Sequence, residues 1–208
     1  AKDYDVPQTR KRAIVLLSRN DQDEWCIPES ITKKENYITV EDTIKYLPSL
    51  ESSEKITDEN YHSNIRNWHF ARKHNEEHIL WMKHTPTGKS AFDNETHYPK
   101  TIDKKTGEIR RIKGFKTTYK RMDWKKPAPT ITMSSGSISS QNNVHPGRFI
   151  KDKNIWSDAR VLTIYELILL TSLPSNFNIP DNTSEKILRE LFGECVPSKF
   201  MFNLIKNI

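Results

Sequence analysis

The chain has 208 residues, 35% of them hydrophobic and 29% charged, and its 33 Lys+Arg against 27 Asp+Glu leave a net charge of +6. That length allows one large or two small domains, and a mean hydropathy of −0.77 makes the core a modest one. With no run of 18 apolar residues and no charged-then-apolar leader, neither a membrane span nor a secretory signal is expected, and the expected location is cytoplasmic. Cys26 and Cys195 have no Cys-x-x-Cys spacing, which excludes a disulfide framework and argues against a zinc site. The basic excess, with a pI near 9.2, suits a polyanionic partner.

Residues 1–12 are polar and lead into Ala13–Leu17, AIVLL, a continuous apolar run of strand length. Such a strand is normally covered on both faces, as in a parallel α/β sheet. No other run here has this character, so the strand is expected to complete a sheet built by another piece of polypeptide. Gln8, Arg10 and Arg12 alternate just ahead of it and can point to one side. Taken alone, that triplet also suits a solvated strand edge.

Asn20–Asn36 reads as charged and irregular. Thr39 with Asp42 three residues on predicts a helix carrying Val40, Ile44 and Leu47 and ending before Pro48. Ser49–Asn64 reads as an acidic connection, and Asn67–Lys83 as one or two helical turns. Three motifs in this region fail. His74 and His78 lack the Glu that a zinc protease needs directly after the first His, because Asn75 stands there. Thr87-Gly88-Lys89-Ser90 lacks the earlier P-loop glycine, Lys83 occupying that place. Glu35-Asn36-Tyr37 lacks the Val of a catalytic Glu-Asn-Val.

Thr101–Arg121 alternates charge with Ile109, Ile112 and Phe115 around Lys105-Thr106-Gly107, which predicts a twisted basic hairpin. The stretch Tyr119–Arg148 then combines Lys120, Arg121, Lys125 and Lys126 with two stiffening prolines. A run of small hydroxyl and amide residues follows, including Ser134 and Ser135, and closes on His145-Pro146-Gly147-Arg148. Those side chains are common donors to phosphate and sugar oxygens, and they equally suit a solvated loop. Thr163 with Glu166 makes a second capping box, opening a helix with Leu167, Ile168 and Leu170. Helices are also predicted over Ser184–Phe192 and Ser198–Ile208, separated by Gly193-Glu194-Cys195-Val196-Pro197.

Taken in order, four of these pieces resemble the C-terminal portion of bacterial DNA cytosine-5 methyltransferases. Gln8-x-Arg10-x-Arg12 before an apolar strand is similar to the family's eighth motif. Pro127-Ala128-Pro129-Thr130-Ile131-Thr132, with His145-Pro146 and Arg148, resembles the end of its target-recognition region. Arg160-x-Leu162-Thr163-x-x-Glu166 followed by Leu173-Pro174 resembles the ninth motif, and Gly193-x-x-Val196-Pro197 the tenth. The sequence departs from the family pattern at Asp5, Tyr165, Thr171 and Glu194, and neither cysteine follows a proline as the family nucleophile does. Phe-x-Gly-x-Gly, the glycine-rich loop for the methyl donor, is absent too.

The resemblance implies an α/β fold: one strand and the C-terminal helices of an S-adenosylmethionine-dependent methyltransferase domain, plus a small, irregular, mainly β target-recognition domain. The implied divisions are 1–20, 21–155 and 156–208. It implies three catalytic positions: Arg12 donating to the flipped cytosine, with Arg10 and Gln8 holding the acid and the extruded nucleotide's backbone. It implies Lys120, Arg121, Lys125, Lys126, Thr130, Thr132, Ser134, Ser135 and Arg148 on double-stranded DNA. Gly193, Glu194, Cys195 and Val196 would border S-adenosyl-L-methionine, and Arg160, Thr163 and Glu166 would be structural, with no metal. The implied partners are an N-terminal catalytic half or subunit, without which the chain is inactive, and a cognate restriction endonuclease. Two other classes fit the same residues: a DNA-binding module or regulator without enzymatic activity, and a structural protein with a basic surface.

Overall fold

Four of the six α-helices among the described residues open on a side-chain cap. In the computed structural model, which describes residues 1–206, Thr39 and Asp42 form a reciprocal capping box that opens α1 (Val40–Ile44). Two further helices follow, α2 (Ser63–Trp68) and α3 (Glu76–Lys83), the second started by the Asn75 side chain accepting from the backbone N–H groups of Glu77 and His78. A hairpin pairs β1 (Lys100–Ile102) with β2 (Ile109–Arg111) in antiparallel register, Thr101 opposite Arg110, and Gly107 takes the positive φ of 71° that its turn requires. A second ribbon pairs β3 (Phe149–Ile150) with β4 (Ile155–Trp156). The chain ends in α4 (Ile164–Leu170), α5 (Glu185–Glu194) and α6 (Ser198–Ile205). The expected end of the last helix at Ile208 lies outside the described residues.

Six of the seven residues of α4 are buried, which makes it the central element. Val40 and Ile44 of α1, Ile65 of α2, and Leu188 and Phe192 of α5 pack around its Leu167 and Ile168. Each such side chain taken fully out of water contributes about 1.5–3 kcal/mol before chain entropy is counted. A second cluster gathers Trp81 and Met82 of α3 with Ile138, Val144 and Val161. The third is small: Val6, Phe200 and Leu204, with Tyr4 and Ile14 against them.

One expectation changes. The region 21–155 is mixed rather than mainly β: it holds three short helices and short two-stranded ribbons, since side-chain caps start α1 and α3 and few strand residues find partners. Its α1 and α2 share one core with α4 and α5. The apolar run Ala13–Leu17 pairs with no strand among the described residues, and Val15 and Leu17 stand 79% and 84% exposed. Within the described residues no helix is long and apolar enough to cross a membrane.

Candidate nucleic-acid interface

The two proline-stiffened segments around Pro7 and Pro127 lie side by side. Ala128 donates its N–H to Pro7 O at 2.8 Å, and Thr9 donates to Ala128 O at 2.8 Å, in a parallel bridge centred on Gln8 and Ala128. Proline restricts the backbone on each side, so one short bridge holds both segments extended. From this pairing the side chains of the Gln-x-Arg-x-Arg triplet diverge.

Gln8 is fully buried, donating to Leu170 O at 3.3 Å and accepting from Ile131 N at 3.4 Å. Arg10 is buried as well, and its guanidinium forks to Ile131 O at 2.9 Å and Gly193 O at 2.7 Å. Desolvation, then the like charge of Arg12, lowers the Arg10 pKa. Arg12 alone is exposed, and it donates only to the neighbouring Lys11 O. Of the three residues expected to be catalytic, two are therefore spent inside this chain and one is open.

The 193–196 segment meets this pairing from the other side. Gly193 is the penultimate residue of α5, and a Cβ there would stand 2.2 Å from Met133 N. Only glycine lets the helix lie so close to the Thr132–Met133 backbone. Gly193 is thus a packing position, whose missing side chain lets α5 seat on that backbone. Glu194 and Val196 are exposed, while Cys195 is half-buried with its Sγ 3.4 Å from Phe192 O. Burial raises the Cys195 thiol pKa, and the charges of Arg10 and Arg12 oppose that shift.

The residues expected on DNA divide in the same way. Thr132 and Ser134 are exposed, and Thr130 and Lys120 are half-buried. Lys125 and Lys126 are exposed but ion-paired, with Glu41 and with Asp123 respectively. Ser135 is buried, its carbonyl accepting from Arg189 at 3.0 Å. Arg148 donates to Asp158 at 3.2 Å and to Lys45 O at 2.9 Å, tying the ribbon to the end of α1.

Arg121 differs most from expectation. It is 1% exposed and donates to the carbonyls of Met82, His145, Ser157 and Asp158 at 2.7–3.3 Å. Burial pushes its pKa down to about 9, with Asp158 and Glu51 opposing the shift. It is a scaffold residue, because every nitrogen faces a carbonyl and none faces solvent.

Behind this surface sits a buried ionic network. Arg160 donates to both Glu166 oxygens at 2.9 Å, to Asp158 at 2.9 Å and to Leu50 O at 2.9 Å. Thr163 N also donates to Glu166. The three residues expected to be structural therefore act together, and Asp158 joins them. His69 donates to Pro48 O and accepts from the Thr163 hydroxyl. Nδ1 of His145 accepts from Gly147 N at 3.0 Å. Sequence reasoning missed Asp158 and His69, and read His145 as part of an open loop. His74 and His78, rejected as metal ligands, are internal: His74 accepts from Val161 N, and His78 packs on Trp81 and Tyr119.

A family model described as C-5 cytosine-specific DNA methylase matches residues 1–208. The chain is similar to the Type II methyltransferase M1.HgaI of Avibacterium volantium, 47% identical over 208 residues, which is 100% of this chain and 53% of that protein. It is also similar to the Type II methyltransferase M.BbvI of Brevibacillus brevis, 24% identical over 197 residues, or 94% of this chain and 43% of that one. The chain thus spans about half the length of these relatives or less. It belongs to the C-5 cytosine-specific DNA methylase family.

Proposed function

We propose that this chain is the specificity and closing portion of a DNA cytosine-5 methyltransferase of a restriction–modification system, inactive until a catalytic half is joined to it. The observation that carries this reading is the apolar run Ala13–Leu17. Ile14 packs on the Phe200 and Leu204 side of α6, while Val15 and Leu17 turn to solvent. The opposite face of the same helix exposes Met201, Phe202 and Ile205. A patch of this kind on a basic, charge-rich chain marks a surface that another protein layer covers. The layer that fits is the remainder of a parallel sheet.

In the joined enzyme, S-adenosylmethionine supplies the methyl group. The residues here that suit an edge of its site are Glu194 and Val196, since Gly193 is committed to packing. Arg12 is the group free to meet a flipped cytosine: it keeps its charge and presents a planar fork of donors to negative charge developing on the ring. Gln8 and Arg10 position it by fixing the backbone on either side. Thr132 and Ser134 stand exposed on the DNA-facing loop, and the basic β1–β2 hairpin supplies further cations to a duplex.

The test is reconstitution. The chain is mixed with, or expressed beside, a polypeptide carrying Phe-x-Gly-x-Gly, Pro-Cys and Glu-Asn-Val, and methyl transfer to cytosine is measured. Transfer and tight sequence-selective binding are expected only from the mixture. Selective binding by this chain alone, with no gain on mixing, would instead make it a free-standing DNA-binding module.

A further inference from the structure

Beyond Thr132, the loop Met133–Ser140 folds against the N-terminal half of α5 and leaves a cleft of which the reading above uses only Ser134. Arg72 enters it from outside the loop. Its guanidinium comes so close to Gly136 that a Cβ there would stand 2.3 Å from Nη1, so this glycine makes room for the arginine. Nε of Arg72 is 3.6 Å from Glu185, and its terminal nitrogens donate no hydrogen bond among the described residues. Lys186 stands opposite, its side chain 85% exposed and 4.0 Å from Glu190. Ser134, Ser137 and Ser140 line the cleft between them.

The charge balance limits what such a cleft holds. Glu185 is already paired with Arg189 at 2.7 Å, and Glu190 sits at the rim beside Lys186. Three cations therefore face two carboxylates, a balance that favours a monoanion over a dianion. The same arginines act on His74: burial first, and then Arg72, Arg189 and Arg160, hold its pKa down at about 4. Hydroxyls around an uncommitted guanidinium fork match the tetrahedral oxygens of a phosphodiester.

Position along α5 adds a register. Lys186 and Gly193 are seven residues apart, about 10 Å along the helix axis. Gly193 is where Arg10 anchors, next to the open Arg12. With α5 laid along a duplex, that span corresponds to about three nucleotides, at about 3.4 Å of rise each.

From this the geometry points to a phosphodiester-binding subsite formed by Arg72, Lys186 and the Ser134–Ser140 loop, gripping the DNA backbone about three nucleotides from the target cytosine. This inference rests on the methyltransferase reading above.

The experiment uses the reconstituted enzyme and a set of duplexes, each bearing one neutral methylphosphonate. For the unaltered enzyme, affinity should fall about tenfold at one or two linkages some three nucleotides from the target. In R72Q/K186Q, affinity for unmodified cognate and non-cognate DNA should drop alike, the slope of log affinity against log salt should fall by about 2, and the sensitivity to that methylphosphonate should vanish. The rate at saturating DNA should stay within about twofold. Millimolar inorganic phosphate should not compete, since it is largely dianionic. Protection by free phosphate would assign the cleft to a small anion instead. A variant that keeps both the salt slope and the methylphosphonate profile overturns the subsite while leaving the methyltransferase reading intact. A reconstituted enzyme that neither binds nor methylates DNA overturns both.

Discussion

Arg160 and Glu166 meet through two parallel hydrogen bonds of 2.9 Å, six residues apart, with essentially no exposed surface on either side chain. Burial alone would raise the Glu166 pKa, but Arg160 and His145 overcome it and hold the carboxyl at about 2. Removing one partner leaves a charge stranded in the core, which typically costs about 3–5 kcal/mol. Urea denaturation of E166Q and R160M should each show a loss of that size. The double variant should lose clearly less than the sum, because no unpaired charge remains from this pair. Additive losses would show that the two residues act through separate partners.

Acid should unfold the protein in two stages. The pKa values of His145 and His74 are depressed to about 3 and about 4, in both cases first by burial. The unfolded chain therefore binds protons that the folded chain refuses, and stability should fall as pH drops from 6.5 toward 4. Each proton taken up contributes a slope of about 1.4 kcal/mol per pH unit. Glu166 has its folded pKa below its unfolded one, so its contribution is present above about 4.5 and is lost as pH falls toward 2. Urea midpoints across pH 7 to 4 should show the first slope, and H74Q should reduce it by one proton.

Gly193→Ala tests the close approach of α5 to the Thr132–Met133 backbone. A Cβ 2.2 Å from Met133 N forces backbone to shift, and overpacking of this kind costs about 1–3 kcal/mol. The melting temperature should drop accordingly. Reconstituted DNA binding should weaken with it, because the displaced loop carries Thr132 and Ser134. An unchanged melt would mean the helix end yields freely.

Arg12→Ala separates chemistry from docking. Among the described residues Arg12 donates only to the neighbouring Lys11 O, so the variant should melt like the parent. In the reconstituted enzyme, methyl transfer should fall by about 10²-fold or more, with duplex binding within a few-fold. Parallel loss of both would give Arg12 a phosphate role.

Phe202→Glu and Leu17→Lys address the uncovered apolar surface. Both residues are exposed, at 63% and 84%, and neither change should lower the thermal stability of the chain. Each should reduce self-association on size exclusion and weaken capture of the catalytic half. Unaltered capture would move the joint elsewhere.

Local signals were legible and distant ones were not. Thr39 with Asp42 and Thr163 with Glu166 announce their helices because a capping box is complete within four residues. The Asp103–Gly107 turn announces its hairpin for the same reason. Ser90 with Asp93 carries the same signature, yet the helix it opens is a single 3-10 turn, with no apolar period in the sequence to mark it. Arg12 and Arg121 show the limit: both are arginines near apolar residues, yet one is open and one is buried. Arg121 is buried by carbonyls from residues 82, 145, 157 and 158, none of them sequence neighbours. The local trace it leaves is Gly147, where a Cβ would sit 2.4 Å from its guanidinium. A glycine alone does not say which neighbour needs the space.

The triplet at the start of the chain is held by residues near its end: Val6 by Phe200 and Leu204, Arg10 by Gly193, and Tyr4 O by Asn203. On the ribosome those partners emerge nearly two hundred residues later. At about 5–20 residues per second, the Gln-x-Arg-x-Arg segment waits roughly ten to forty seconds without its packing. The run behind it gains little when those partners arrive: Ile14 packs, but Val15 and Leu17 stay exposed. AIVLL is therefore a β-prone, uncharged stretch, the kind that chaperones hold and aggregates recruit, both during synthesis and afterwards.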